Sequence, residues 1–166
     1  IMDPWLEACK YDEATVKNIN DHPAYDDYWR NFDLSTRYSA VNFPILHIAG
    51  WYDILLQGNI DAYVGISEFG GPKAKNTQKL IIGPFSHAAS SKVGEFDFPD
   101  ADKYNPTIKS LEFLQYKLQG KDNDAAKLKP VTYYAMGAVG EDNAPGNEWR
   151  SADDWPVPAK TMRMYL

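Results

Sequence analysis

Two short runs of almost unbroken apolar residues, "PILHIAGWY" (44–52) and "KLIIGPF" (79–85), are separated by a stretch in which apolar positions recur at helical spacing. Such runs, bounded by turn formers, are the pattern of strands covered on both faces. Between them Leu56, Ile60, Tyr63 and Val64 share one face of a helix that Gly70, Gly71 and Pro72 bring to a stop. Strand, helix, strand in that order predicts two parallel strands joined by a crossover, and hence an α/β sheet. Residues 1–32 read as helical and aromatic-rich, broken by "DHP" (21–23), where Asp21 is placed to cap a helix carrying "AYDDYWRNF". After a loop from Gly94 to Asn105, Pro106 occupies a first helical position. Ile108, Leu111, Leu114 and Leu118 lie on one face of that helix, and Gly120 closes it. The polar stretch "KDNDAAKLKP" (121–130) reads as a linker to a second module whose strands are "VTYYAMG" (131–137) and "TMRMYL" (161–166).

Composition narrows the function classes. With 166 residues, 44% of them hydrophobic and 14% aromatic, the chain carries enough apolar mass for a core, so disorder is excluded. Its 23 acidic residues outnumber 17 basic ones, for a net charge of −6, and neither sign forms a block, which argues against nucleic acid and anionic membranes as partners. No apolar run approaches the roughly 18 residues of a membrane span. The single cysteine, Cys9, excludes an internal disulfide and leaves the compartment open between cytoplasm and secretion. The chain opens on Ile and enters helical sequence at once, which suggests a piece of a longer polypeptide.

The candidate chemistry lies at the ends of the two apolar runs. Asp53 follows the first and His87 the second, and adjacent parallel strands present their C-terminal ends on one edge of a sheet, where α/β folds build their sites. A carboxylate and an imidazole so placed form the orienting half of a nucleophilic triad, the acid fixing the imidazole tautomer and the imidazole deprotonating a serine. Taken alone, Asp53 could equally be the N-cap of the following helix.

A set of motifs in order carries a family resemblance: "HPAYDDYWR", "PILHIAGWYD" with "GNIDAY", "LIIGPFSHA", "FLQYKLQG", "VTYYAMG" and "EWRSADDWP". Over roughly residues 20–166 the chain resembles the C-terminal portion of the X-prolyl dipeptidyl peptidase and cocaine-esterase family of serine hydrolases, which includes α-amino acid ester hydrolases and glutaryl acylases. The resemblance implies that Asp53 and His87 are two members of the catalytic triad. It also implies that Leu55 and Trp51 contribute to the substrate pocket, and that the nucleophilic serine and an oxyanion-hole tyrosine lie upstream of this chain. Phe85 stands where the family motif has tryptophan. The implied architecture is the end of a helical cap (1–40), the C-terminal part of an α/β-hydrolase core (41–125) and the start of a jelly-roll β-sandwich (126–166).

Other chemistry-bearing residues have plainer readings. Ser67, in "GISEFG", lies within the helix instead of at a strand-to-helix turn, and Ser86 is adjacent to His87 on an extended segment, so neither is read as the nucleophile. His47, inside the first apolar run, is a hydrogen-bonded core residue. His22 and Asp26 have metal-ligand spacing but no third ligand close in sequence, so no metal is expected, nor any other cofactor. Tyr25, Tyr28, Trp29 and Phe32 form a helix face packed on the core, and Trp149 and Trp155 anchor the second module. The expected function is hydrolysis of small acyl or aminoacyl esters or amides, including short peptides, by a protein that could be a homo-oligomer. The alternative is a non-catalytic binding or interaction module that keeps the hydrolase scaffold.

Overall fold

A computed structural model describes residues 3–90, 92–141 and 144–164. It divides into two compact units, one ending at Arg37 and one beginning at Tyr38. In the first unit, helices α1 (Asp3–Ala8), α2 (Glu13–Asp21) and α3 (Asp27–Arg30) follow in order. The Asp12 carboxylate caps α2 by accepting from the Thr15 N–H. Asp21, expected to cap the next helix, is the last residue of α2. Asp26 takes that part, accepting from the Tyr28 and Trp29 N–H groups. Pro23 disfavours a helical conformation at the residue before it, so α2 stops at Asp21, and α3 begins only at Asp27, which leaves Asp26 as the residue at its start. Of the aromatic cluster expected on the core, Tyr25 and Phe32 are exposed. Tyr28 instead stacks on the His22 ring, 4.3 Å between centroids.

The second unit is built on a four-stranded sheet in the order β1-β2-β5-β6 (β1, Leu46–Tyr52; β2, Lys79–Ser86; β5, Val131–Ala135; β6, Glu148–Ala152). β1 and β2 pair in parallel, as their apolar runs predict, and helix α4 (Leu56–Phe69) makes the crossover. From Leu80 to Phe85 every residue of β2 is buried, the mark of a strand with both faces covered. On one face Ile60 and Tyr63 of α4 pack against Leu80, Ile82 and Val131. Each of these side chains removed from water contributes about 1.5–3 kcal/mol.

Helix α5 (Pro106–Gln119) begins at Pro106 and ends at Gly120, whose φ of 66° suits glycine as a left-handed cap. Its Ile108, Leu111, Leu114 and Leu118 stripe is exposed, each residue more than half so. Only Phe113 of this helix is buried. The predicted linker contains a short helix, α6 (Asp124–Lys127), capped by Asn123. The strand expected to open a second module does not stand apart. β5 lies parallel to β2 in the same sheet, and β6 returns antiparallel to β5. Within "TMRMYL", residues 161–164 form no strand, and 165–166 lie outside the described residues. A β-hairpin of two-residue strands, β3 (Lys92–Val93) and β4 (Phe96–Asp97), precedes α5.

His47, in β1, is 6% exposed, hydrogen-bonds to the Gln78 side-chain Oε1 at 3.1 Å through Nε2 and stands edge-on to Tyr63. Burial holds its pKa below the ordinary 6.5. The unfolded chain therefore binds a proton below pH 6.5 that the folded chain refuses until the pH reaches the lowered value, so stability is lost as pH falls through that window. Urea melts at stepped pH should show a slope up to about 1.4 kcal/mol per pH unit steeper than in a His47→Gln variant. Equal slopes would mean that His47 takes up its proton without leaving the core.

Candidate active site

The path from β1 into α4 decides where Asp53 stands. The β1–β2 register runs from Leu46 opposite Lys79 to Gly50 opposite Gly83, then shifts so that Tyr52 faces Ser86. Gly50 makes this shift possible, because a Cβ there would lie 2.1 Å from the Phe85 carbonyl oxygen. Beyond the shift, the Asp53 N–H donates to the Gly50 carbonyl at 3.0 Å and the chain turns off the sheet. Asp53 is not the N-cap of α4. That position is Leu55, and Asp53 Oδ1 accepts the Leu55 N–H at 2.9 Å just ahead of the helix.

At the end of β2 a tight turn, closed by the Ala89 N–H on the Ser86 carbonyl at 2.9 Å, carries His87. Ala89 holds φ at 58°, a left-handed conformation that costs a residue with a Cβ about 1 kcal/mol or more. The two strand ends then meet. His87 Nδ1–H donates to Asp53 Oδ1 at 2.9 Å, which assigns the proton to Nδ1 and leaves the Nε2 lone pair free to accept a proton. The carboxylate side chain is 12% exposed and the imidazole 64%. The Leu55 N–H, and after it the His87 hydrogen bond and charge, hold the Asp53 carboxyl below its ordinary 3.8 against the opposing effect of burial. Asp53 is thus an anion throughout the neutral range.

Both residues line a cavity of about 270 Å³. Its far wall is the first turn of α5, Pro106, Thr107 and Ser110. Sequence reasoning located this helix start from Pro106; the cap, which it did not name, is Asn105, whose side-chain amide oxygen accepts the Thr107 and Ile108 N–H groups. Nothing in the sequence said that this turn would face Asp53.

The remaining expected site residues are dispersed. The Trp51 indole N–H donates to the Tyr134 carbonyl at 2.7 Å, and its ring packs beside Trp155 and the α4 face of the core. Leu55 is 53% exposed and meets Asp53 through its backbone N–H. Neither Trp51 nor Leu55 is among the residues lining the cavity. Ser67, inside α4, borders a different cavity, with Tyr63 and Trp155. Phe85 is buried against Trp149, whose indole N–H donates to the Asp100 carbonyl at 2.9 Å and ties β6 to the loop before α5. In the N-terminal unit His22 Nδ1 binds Asp26 Oδ2 at 2.6 Å, while Oδ1 of the same carboxylate serves as the α3 cap.

Residues 2–89, which include Asp53 and His87, match the profile of the X-Pro dipeptidyl-peptidase S15 family. Cocaine esterase from Rhodococcus sp. (strain MB1 Bresler) is 26% identical over 147 residues, 86% of this chain and 23% of that protein. A provisionally named serine esterase of Mycobacterium bovis is 27% identical over 155 residues, 93% of this chain and 21% of that protein. The chain therefore spans less than a quarter of the length of these relatives. Among solved structures, a CocE/NonD family hydrolase from Staphylococcus aureus superposes with a TM-score of 0.57 at 20% identity, covering 87% of this chain and 22% of that one. That likeness establishes the α/β fold, and the profile match, running through both strand ends that carry the candidate pair, establishes descent: the chain belongs to the X-Pro dipeptidyl-peptidase (S15) family.

Proposed function

We propose that this chain supplies the Asp–His half of the catalytic triad of a serine hydrolase, with the serine contributed by polypeptide outside these 166 residues. The observation that carries the reading is the 2.9 Å hydrogen bond between His87 Nδ1 and Asp53 Oδ1 at the ends of adjacent parallel strands. His87 Nε2 takes the proton from the serine hydroxyl as the serine oxygen bonds to the substrate carbonyl carbon. The protonated imidazole then gives that proton to the departing alcohol or amine, leaving an acyl-enzyme. Water, deprotonated by the same nitrogen, releases the acid and restores the serine. Asp53 stays ionised and stabilises the imidazolium in both half-reactions. The substrates are esters or amides of small acyl or aminoacyl groups, X-Pro peptides among them, and the chemistry needs no cofactor.

Fluorophosphonate labelling of the full-length protein that contains this chain tests the reading. The expected result is one labelled serine outside residues 1–166, with labelling lost in the His87→Ala and Asp53→Asn variants. Folded full-length protein that resists the probe would overturn it and leave the scaffold as a binding module.

A further inference from the structure

On the sheet face opposite α4, the chain gathers positive charge against its overall sign. Four lysines, Lys103 from the loop before α5, Lys109 of α5, Lys127 of α6 and Lys129 just before β5, outnumber one carboxylate, Asp124, in the lining of a recess of about 330 Å³ whose floor is Thr132 and Ser151. Thr132 and Ser151 are directly opposed partners in the β5–β6 register, and opposed residues share a face, so their hydroxyls stand side by side. Thr132 is 2% exposed. Its hydroxyl has no hydrogen-bond partner among the described residues, although it lines the recess. No fully buried side-chain oxygen or nitrogen among the described residues lacks a partner, so the Thr132 hydroxyl oxygen itself meets the solvent of the recess and can donate to a ligand there.

We infer that this recess is a binding site for a phosphate-type anion, with the Thr132 and Ser151 hydroxyls as donors at its floor and the lysine ammonium groups around its rim. A tetrahedral anion with three or four oxygens accepts many donors at once, and two hydroxyls with four ammonium groups match that demand better than they match a carboxylate. Three of the lysines already have acidic neighbours: Lys129 with Asp153 at 3.0 Å, Lys109 with Glu112 at 2.8 Å and Lys127 with Asp124 at 3.7 Å. The Lys127 and Lys129 pairs are largely exposed and weak, so both ammonium groups can turn to an incoming anion. Lys103 has no ion pair among the described residues. Nearby, the Lys79 ammonium bonds to the Leu128 carbonyl. The volume admits a diphosphate or the phosphorylated end of a small molecule. The site is independent of the Asp53–His87 pair, so its test does not depend on hydrolysis.

Calorimetric titration of the full-length protein with sodium pyrophosphate, at fixed ionic strength, is the test. The expected result is saturable one-site binding, weakened about tenfold in Thr132→Val and by more than that in a Lys103→Gln, Lys129→Gln double variant. Ester hydrolysis should be unchanged in Thr132→Val. A Ser151→Ala variant serves if Thr132→Val unfolds, because Ser151 is exposed. Sedimentation with phosphatidylcholine vesicles containing phosphatidic acid runs in parallel. Binding to the vesicles with the same variant dependence identifies the phosphate source as a lipid headgroup, and binding of pyrophosphate alone identifies a soluble ligand. Absence of saturable binding in both arms, or equal affinity in wild type and all variants, overturns the proposal.

Discussion

Replacing His87 with alanine should lower kcat for ester hydrolysis by the full-length protein by about 10⁴- to 10⁶-fold while leaving the fold intact. The size of the loss follows from the chemistry assigned to one nitrogen. Without Nε2 there is no acceptor for the serine proton and no donor for the leaving group, so both halves of the reaction lose their acid–base catalyst. The retained fold follows from the placement of the residue. His87 is on the surface, and its one side-chain partner among the described residues is Asp53. Asp53→Asn should fall by about 10⁴-fold for a different reason, since a carboxamide that offers its N–H₂ to Nδ1 selects the wrong tautomer and turns Nε2 into a donor. Unfolding monitored by circular dichroism, alongside steady-state rates with an activated ester, separates catalysis from stability. More than a tenth of the wild-type kcat surviving in folded His87→Ala would remove the histidine from the mechanism.

The second large effect is expected at a residue with no side chain. Gly50→Ala would drive a methyl group into the Phe85 carbonyl oxygen at 2.1 Å and its carbon at 2.7 Å. Backbone atoms cannot rotate away as the end of a flexible side chain can, so β1 and β2 must part at this point. Overpacking of this kind costs about 1–3 kcal/mol. The rate should suffer more than the stability. Asp53 begins three residues beyond Gly50 and His87 two beyond Phe85, and a displacement of about 1 Å between reacting groups can reduce a rate about 10²-fold. Gly58→Ala is the control. Gly58 lies in α4 with nothing within 4 Å of the added Cβ, and alanine there should stabilise the helix by about 0.5–1 kcal/mol with full activity. Urea melts and single-turnover rates for the two variants should diverge in sign. Matching behaviour would mean that the strand register tolerates the methyl group and that Gly50 is not what holds the pair together.

The elements that sequence located well are those whose signal is local. Each apolar run gave one strand, Pro106 and Gly120 marked the ends of α5 to the residue, and parallel pairing of β1 and β2 followed from the helix between them. The Asp53–His87 meeting was legible because it needs only that adjacent parallel strands end together. Features that depend on distant parts of the chain were not. The first turn of α5 as a cavity wall, β5 on the free edge of β2, and the Thr132–Ser151 pair all arise from tertiary pairing that leaves no periodicity in the sequence. The α5 stripe shows the converse. Ile108, Leu111, Leu114 and Leu118 keep the pattern of a covered face, yet nothing among the described residues covers them. Hydrophobic pattern reports that a face is to be buried without naming what buries it.

A single carboxylate oxygen, Asp53 Oδ1, receives both the Leu55 N–H that turns β1 toward α4 and the His87 N–H that would serve catalysis. The two residues of the pair are therefore under unequal constraint. A descendant that abandoned hydrolysis would still need Asp53 to make the turn, while exposed His87 would be free to change. In comparing relatives of this chain, the aspartate motif would then survive as a relic of architecture, and the histidine would be the residue to inspect before crediting any of them with chemistry.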